Sequence, residues 1–281
     1  MHERDALPSL PRLLASALLH RGRRVEGSAD LPNLALRIRR VVLERQAVER
    51  YRRHFGFDDG ELPLTFAYLP AQRAQIQLMA DRRFPLPLLG LIHRSNRFRL
   101  DGRIEPGDAG SMEVSTGGAG SMAKGLEFDV VSRFVAANGQ VEIVSRYLHR
   151  LPSPPGAPAP QTEPVAPPGP PQGLLNFAAD AGRRYAGLSG DWNPIHLPTF
   201  HRLLGFPRPI AHGMDTAARV LAAHGGAATA LDVAFHKPIR LPATVEHTAA
   251  RRDDGTVDIA VQSQGGEHLH LTGTLTPSDP S

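Results

Sequence analysis

Between Tyr185 and Met214 the chain brings together Asp191, Asn193, His196, His212 and Gly213: a carboxylate, an amide, two imidazoles and a glycine. Asp191 and His196 are five residues apart, a spacing that does not share one face of a helix. Asn193-Pro194 between them reads as a turn, or as an N-cap followed by proline at the first helical position. A backbone bent there can aim both side chains at one point. A carboxylate and an imidazole at one point can hold a water, one polarising it while the other accepts or returns its proton. Histidine suits this work because it titrates near neutral pH. Gly213 opens a predicted helix, whose first N–H groups have no intrahelical partner and whose dipole favours negative charge. With no side chain, it lets a carbonyl oxygen come close to that amide. An acid/base pair beside an oxyanion donor is the equipment for chemistry next to a carbonyl.

The same residues also have a plainer reading. Asp, Asn and Pro are ordinary turn formers, and His212 by itself is a packing or capping histidine. His196, His201, His212, His224 and His236 show no metal-ligand spacing that a helix or ribbon would produce, so no metal is expected. Neither a Gly-rich phosphate loop nor a Gly-x-Ser-x-Gly elbow is present.

The elements that must position these residues fall into two halves. Leu34, Leu36 and Ile38 alternate with Ala35, Arg37 and Arg39 as in a half-buried strand. Glu44 to Phe55 carries Ala47, Val48, Tyr51 and Phe55 at helical spacing, with Gly56 as its stop. A second apolar segment runs from Leu69 to Met79. Strand patterns follow over Gly125–Val135 and Val141–Leu151, joined by Asn138-Gly139. Residues 151–172 include ten prolines and read as an extended linker. Beyond it, Leu174, Leu175, Ala178, Ala181 and Tyr185 suggest a helical stripe, Thr199 caps a short helix to Leu204, and a helix starts near Gly213 and stops at Gly225-Gly226. Strands are expected at Leu231–Phe235, Thr244–Arg251, Thr256–Gln262 and His268–Leu275. Each half thus reads as helix plus antiparallel strands. Phe206-Pro207-Arg208-Pro209-Ile210 echoes Phe84-Pro85-Leu86-Pro87-Leu88; if the echo sets the register, Asp191 and His196 correspond to Leu69 and Ala74, and the first half lacks the polar pair.

Composition narrows the function classes. The 281 residues are 41% hydrophobic and 21% charged, enough for a sizeable core. The net charge of +4 comes from arginines spread along the chain, not from one basic stripe interleaved with aromatics, so no nucleic-acid partner is expected. No apolar run reaches the length of a membrane span. Leu13–Leu19 lacks a cleavage site after it and reads as a short helix in an N-terminal tail. The absence of cysteine excludes disulfides and thiolate sites and fits a cytoplasmic protein.

Ser189-Gly190-Asp191-Trp192-Asn193-Pro194-Ile195-His196, then Gly205-Phe206, then Ile210-Ala211-His212-Gly213-Met214, closely resembles the hydratase motif of the MaoC-like dehydratases, the family of the (R)-specific enoyl-CoA hydratases. Leu62-Pro63-Leu64-Thr65 and Arg83 to His93 resemble N-terminal segments of its two-repeat members. The resemblance implies an α+β double hot-dog, each repeat a long helix wrapped by an antiparallel sheet. In that scheme residues 1–30 are a tail or short helix, 31–150 a degenerate repeat, 151–172 the linker and 173–281 the catalytic repeat. It implies that Asp191 and His196 activate the water added to a trans-2-enoyl thioester of CoA or a carrier protein. Asn193 would support that geometry and the Gly213 amide would meet the thioester carbonyl. His212 and Met214 would lie at the substrate, and Arg208, Lys237 and Arg240 are candidates for its phosphates. No cofactor beyond the thioester itself is implied, and two double hot dogs could pair as a homodimer. Pro198 and Asp215 depart from the commoner family pattern, at Pro198 an acidic and at Asp215 an apolar residue, and bear on the shape of the pocket. An N-terminal repeat without the motif could open space for a longer acyl chain. The alternatives on the same fold are an acyl-CoA thioesterase and a non-catalytic acyl-thioester-binding protein.

Overall fold

The computed structural model describes residues 2–20, 22, 31–58, 60, 62–122, 125–151, 167–199 and 201–278. The first half comprises strand β1 (His2–Ala6), helix α1 (Leu10–Leu19), strand β2 (Ala35–Val42), helices α2 (Arg45–Phe55) and α3 (Tyr68–Met79), and strands β3 (Ile92–Gly102), β4 (Ala109–Met122), β5 (Gly125–Val135) and β6 (Gly139–Arg150). The second comprises β7 (Pro171–Phe177), α4 (Ala181–Ser189), α5 (Gly213–Ala223), β8 (Ala228–Phe235), β9 (Ala243–Arg251), β10 (Val257–Ser263) and β11 (Leu269–Pro277).

All the strands join one sheet in the order β1-β2-β4-β5-β6-β3-β8-β11-β10-β9-β7. Leaving out β1, the second half repeats the first in reverse, and the two meet where β3 pairs antiparallel with β8, from Ser95 opposite Ala234 to Arg99 opposite Ala230. This is the double hot-dog: α3 and α5 are the helices around which the two half-sheets wrap. Period-two burial drives the strands. Leu36 and Ile38 of β2, and Leu126, Phe128, Val130 and Phe134 of β5, are buried while their neighbours face outward. On the helices, Ala71 and Ala74 of α3 and Ala217 and Ala218 of α5 are fully buried. Such small side chains let each helix sit close against its sheet. Gly56 and Gly190, both in the left-handed region, end α2 and α4.

Several expectations need correction. Leu174 and Leu175 belong to strand β7, paired with β9, and the helix begins only at Ala181. The spacing of Leu174, Ala178, Ala181 and Tyr185 fits a helix by number alone, because residues from two elements fall on one stripe. Pro171, inside the expected linker, already opens that edge strand, where a missing N–H is tolerated; residues 152–166 of the linker lie outside the described residues. The N-terminal tail contains β1, pairing parallel with β2, besides α1. The register from the Phe-Pro echo fails too. In the first half the echo follows α3, whereas in the second it precedes α5. Leu69 and Ala74 both lie on α3, the counterpart of α5. The counterpart of the Asp191–His196 loop is therefore the α2–α3 connection, residues 56–67, which carries no histidine.

Candidate active site

The loop from α4 to α5 is held by its own polar residues. Ser189 donates through Oγ to the Tyr185 carbonyl at 2.9 Å and accepts the Asp191 N–H at 3.1 Å. The Asp191 carboxylate then accepts the Asn193 N–H on Oδ1 at 3.2 Å. Asn193 caps a single 3-10 turn, Pro194–His196, its Oδ1 accepting from Ile195 N–H at 3.4 Å, with Pro194 at the first position as the sequence suggested. This turn directs the buried His196 ring inward. Its carbonyl lies so near Gly182 of α4 that a Cβ there would stand 2.1 Å from the oxygen.

Fourteen residues further on, the chain returns alongside. Ile210 N–H donates to the Ile195 carbonyl at 3.2 Å, and the Ile210 carbonyl lies 2.8 Å from His196 Nδ1. A carbonyl only accepts, so Nδ1 carries the proton and Nε2 keeps its lone pair. His212 follows as the N-cap of α5, stacked on His196 with ring centroids 3.5 Å apart. Its Nε2 donates to the Asp191 carbonyl at 3.1 Å and lies 3.9 Å from Asp191 Oδ2. Gly213 opens α5, where backbone N–H groups are unpaired within the helix. The ring of Phe235 presses against it, 2.8 Å from where a Cβ would be.

Burial holds both imidazoles neutral. It lowers His196 below its ordinary value against the opposing pull of Asp191 and of the Ile210 carbonyl. His212 is pushed down to about 3, by burial first and by His196 second. Burial alone would raise the Asp191 carboxyl, but the His212 and His196 imidazoles and the N–H donors of Gln72 and Asn193 outweigh it and leave it below the usual carboxylate range. At neutral pH the site thus holds an anionic carboxylate beside an imidazole with a free Nε2 lone pair, near a helix N-terminus.

Asp191, His196 and His212 also offer three donor atoms within 4.8 Å of one another, a grouping that sequence spacing did not reveal. Of these atoms His212 Nε2 already donates to the Asp191 carbonyl, and its ring lies 24° from parallel to that of His196.

The expected residues Asp191, Asn193, His196, His212 and Gly213 are therefore gathered at one place. Met214 is buried, its sulfur accepting from Asn96 Nδ2 of β3 at 3.0 Å across the junction of the halves. Arg208, Lys237 and Arg240 are exposed, and Lys237 Nζ lies 3.3 Å from His268 Nδ1. The sequence reading missed what the first half contributes. Gln72 Nε2 of α3 lies 2.7 Å from Asp191 Oδ2. His93 of β3 stacks between Tyr68 and Tyr147 and meets Phe235 edge-on with centroids 5.0 Å apart. One signal was available: Gln72 and Gln75 stand one turn apart among the apolar residues of Leu69–Met79.

A family model described as a MaoC like domain matches residues 160–269. The 3-hydroxyacyl-thioester dehydratase X of Mycobacterium tuberculosis is 32% identical, over 98% of this chain and 99% of that protein. The (R)-specific enoyl-CoA hydratase of Aeromonas caviae is 34% identical over 34% of this chain and 82% of its own length. The crystal structure of HtdX from Mycobacterium tuberculosis superimposes with a TM-score of 0.74 at 28% identity, covering 87% of this chain and all of that one (100%). A likeness that runs nearly end to end, with a carboxylate and an imidazole next to a glycine-opened helix, places the chain in the MaoC-like dehydratase family, as a hydratase/dehydratase of the double hot-dog type.

Proposed function

We propose that the protein interconverts trans-2-enoyl thioesters and (R)-3-hydroxyacyl thioesters, carried on CoA or an acyl carrier protein, at the Asp191–His196 site. The observation that carries this reading is the bond from His196 Nδ1 to the Ile210 carbonyl, which leaves Nε2 as a base beside the Asp191 carboxylate. In hydration, a water held by the carboxylate gives one proton to His196 Nε2 as its oxygen bonds to C3 of the enoyl group. The double-bond electrons move toward C2 and the thioester oxygen, where charge builds up opposite the Gly213 amide. The proton on Nε2 then passes to C2. Dehydration runs the same steps backward: His196 takes the C2 proton and returns it to the departing hydroxyl. These steps call on no redox group, since addition of water to an activated alkene changes no oxidation state overall. Asn193 holds the turn that aims His196, and Met214 secures α5 behind Gly213. Arg208, Lys237 and Arg240 are positioned on the surface, where they can meet the anionic part of the carrier. A cytoplasmic setting accords with the lack of cysteine.

The test is loss of enoyl absorbance with trans-2-enoyl-CoA substrates of graded length, with chiral analysis of the product. Formation of the (R)-3-hydroxyacyl thioester with the thioester intact supports the reading. Release of free thiol instead would identify a thioesterase.

A further inference from the structure

Gln72 sits on α3, the central helix of the half that has no acid/base pair of its own, and its Nε2 is 2.7 Å from Oδ2 of Asp191. A carboxylate can only accept, so the amide nitrogen and not its oxygen must face Asp191. The other oxygen, Oδ1, accepts the Asn193 N–H at 3.2 Å. Each carboxylate oxygen thus has one protein donor, and the two donors come from different halves of the molecule. Together they fix the plane of the carboxylate, a torsion that is otherwise broad, and leave further lone pairs on each oxygen for a water.

We propose that Gln72 is a positioning residue of the reaction: its side-chain amide holds the Asp191 carboxylate turned toward the water shared with His196, so that the N-terminal half supplies part of the working site. This rests on the hydratase/dehydratase reading given above. A purely structural role fits poorly with what surrounds Gln72. The packing of α3 is made by the fully buried Ala71 and Ala74, and the neighbouring Gln75 is already committed to Ser132, Ser145 and Tyr147. Gln72 itself is only half-buried, and its amide makes no contact that α3 needs in order to pack.

The groups facing Asp191 show why this donor matters. His212 and His196 come from its own side of the site, His93 from β3, and the phenols Tyr68, Tyr147 and Tyr185 from α3, β6 and α4. Both catalytic-site imidazoles are held neutral by burial, and no lysine or arginine is among these groups. Hydrogen bonds from Gln72 and Asn193 are then the direct donors to the anion, and a bond to a charged acceptor is about twice as strong as one between neutral groups.

The experiment uses the full chain with Gln72→Leu and Gln72→Glu, measuring enoyl-thioester hydration from pH 4 to 9 alongside NMR titration of the Asp191 carboxyl, assigned with Asp191→Asn. In Gln72→Leu we expect kcat to fall about 10- to 100-fold, the worth of a hydrogen bond to a charged group, with KM changed less than about threefold. The Asp191 titration should move up. Gln72→Glu should lose more at neutral pH, where two carboxylates repel. An unshifted Asp191 titration, or wild-type kcat per folded molecule in Gln72→Leu, overturns the role of Gln72. Absence of turnover by the wild type, with the Asp191 titration still shifted in Gln72→Leu, overturns the reaction and leaves Gln72 as the residue that orients Asp191.

Discussion

His196 Nδ1 and the Ile210 carbonyl, 2.8 Å apart, settle which nitrogen of the ring is free to take a proton. The chain crosses itself at this point, and the tautomer is a consequence of that crossing. His196→Ala and Asp191→Asn should each lower hydration of a trans-2-enoyl thioester by about a thousandfold or more. The far-ultraviolet circular dichroism should be unchanged, since neither side chain belongs to the apolar cluster between helices and sheet. Because burial holds His196 below 6.5 and Asp191 is also lowered, kcat/KM should stay level as pH drops from 8 through 6.5 and turn down only below that value. Initial rates across that range check it.

Gly182 tests the scaffold behind His196. A methyl group there would come within 2.1 Å of the His196 carbonyl oxygen, and backbone cannot yield as a side chain can. Gly182→Ala should cost about 1–3 kcal/mol in urea unfolding. It should also lower kcat more than it raises KM, because the turn carrying the base is displaced.

At Gly213 the obstacle is a ring edge. A Cβ would lie 2.8 Å from Phe235 Cδ1 and Cε1, and His93 backs that ring from the other half. Gly213→Ala should therefore lose about 1–3 kcal/mol despite the better helix propensity of alanine. Adding Phe235→Leu should recover stability but not kcat, since the new methyl still crowds the amide. Paired melting and rate measurements on the two variants separate these effects.

Buried histidines make stability depend on pH. Burial lowers His212 to about 3, His93 to about 4 and His247 to about 4, with a neighbouring imidazole adding to the effect at His212 and His247. Below about pH 6.5 the unfolded chain takes up these protons before the folded protein does, so their contribution is lost as pH falls. Asp215 opposes them: burial raises it to about 6, so the folded protein binds that proton first and gains stability as pH drops. With His196 lowered as well, the histidines outnumber Asp215, and stability should decline as pH falls from 6 to 4. Urea midpoints in that window measure the slope, and a flat profile would contradict it.

Local physics was strong enough to make much of this molecule legible in the sequence. The alternation of Leu34, Leu36 and Ile38, the glycine stops at Gly56 and Gly225, and the Asn-Pro turn before His196 each depend on neighbours a few residues away. Asp191 and His196 could be paired as candidates for the same reason. Contacts between distant segments are not written that way. Leu174 and Leu175 became a strand because β9 lay open beside them. Ile92–Gly102, rich in arginine and poor in alternation, became the strand at the junction because β8 and β6 flank it on either side. The repeat register followed the sheet order, not the Phe-Pro echo. Asp191, Asn193, His196 and Gly213 could thus be singled out together as candidates from the sequence, through turn and helix-end chemistry and the motif they resemble. That Gln72, 119 positions earlier, completes the carboxylate was decided only when two half-sheets joined edge to edge and brought α3 against the loop.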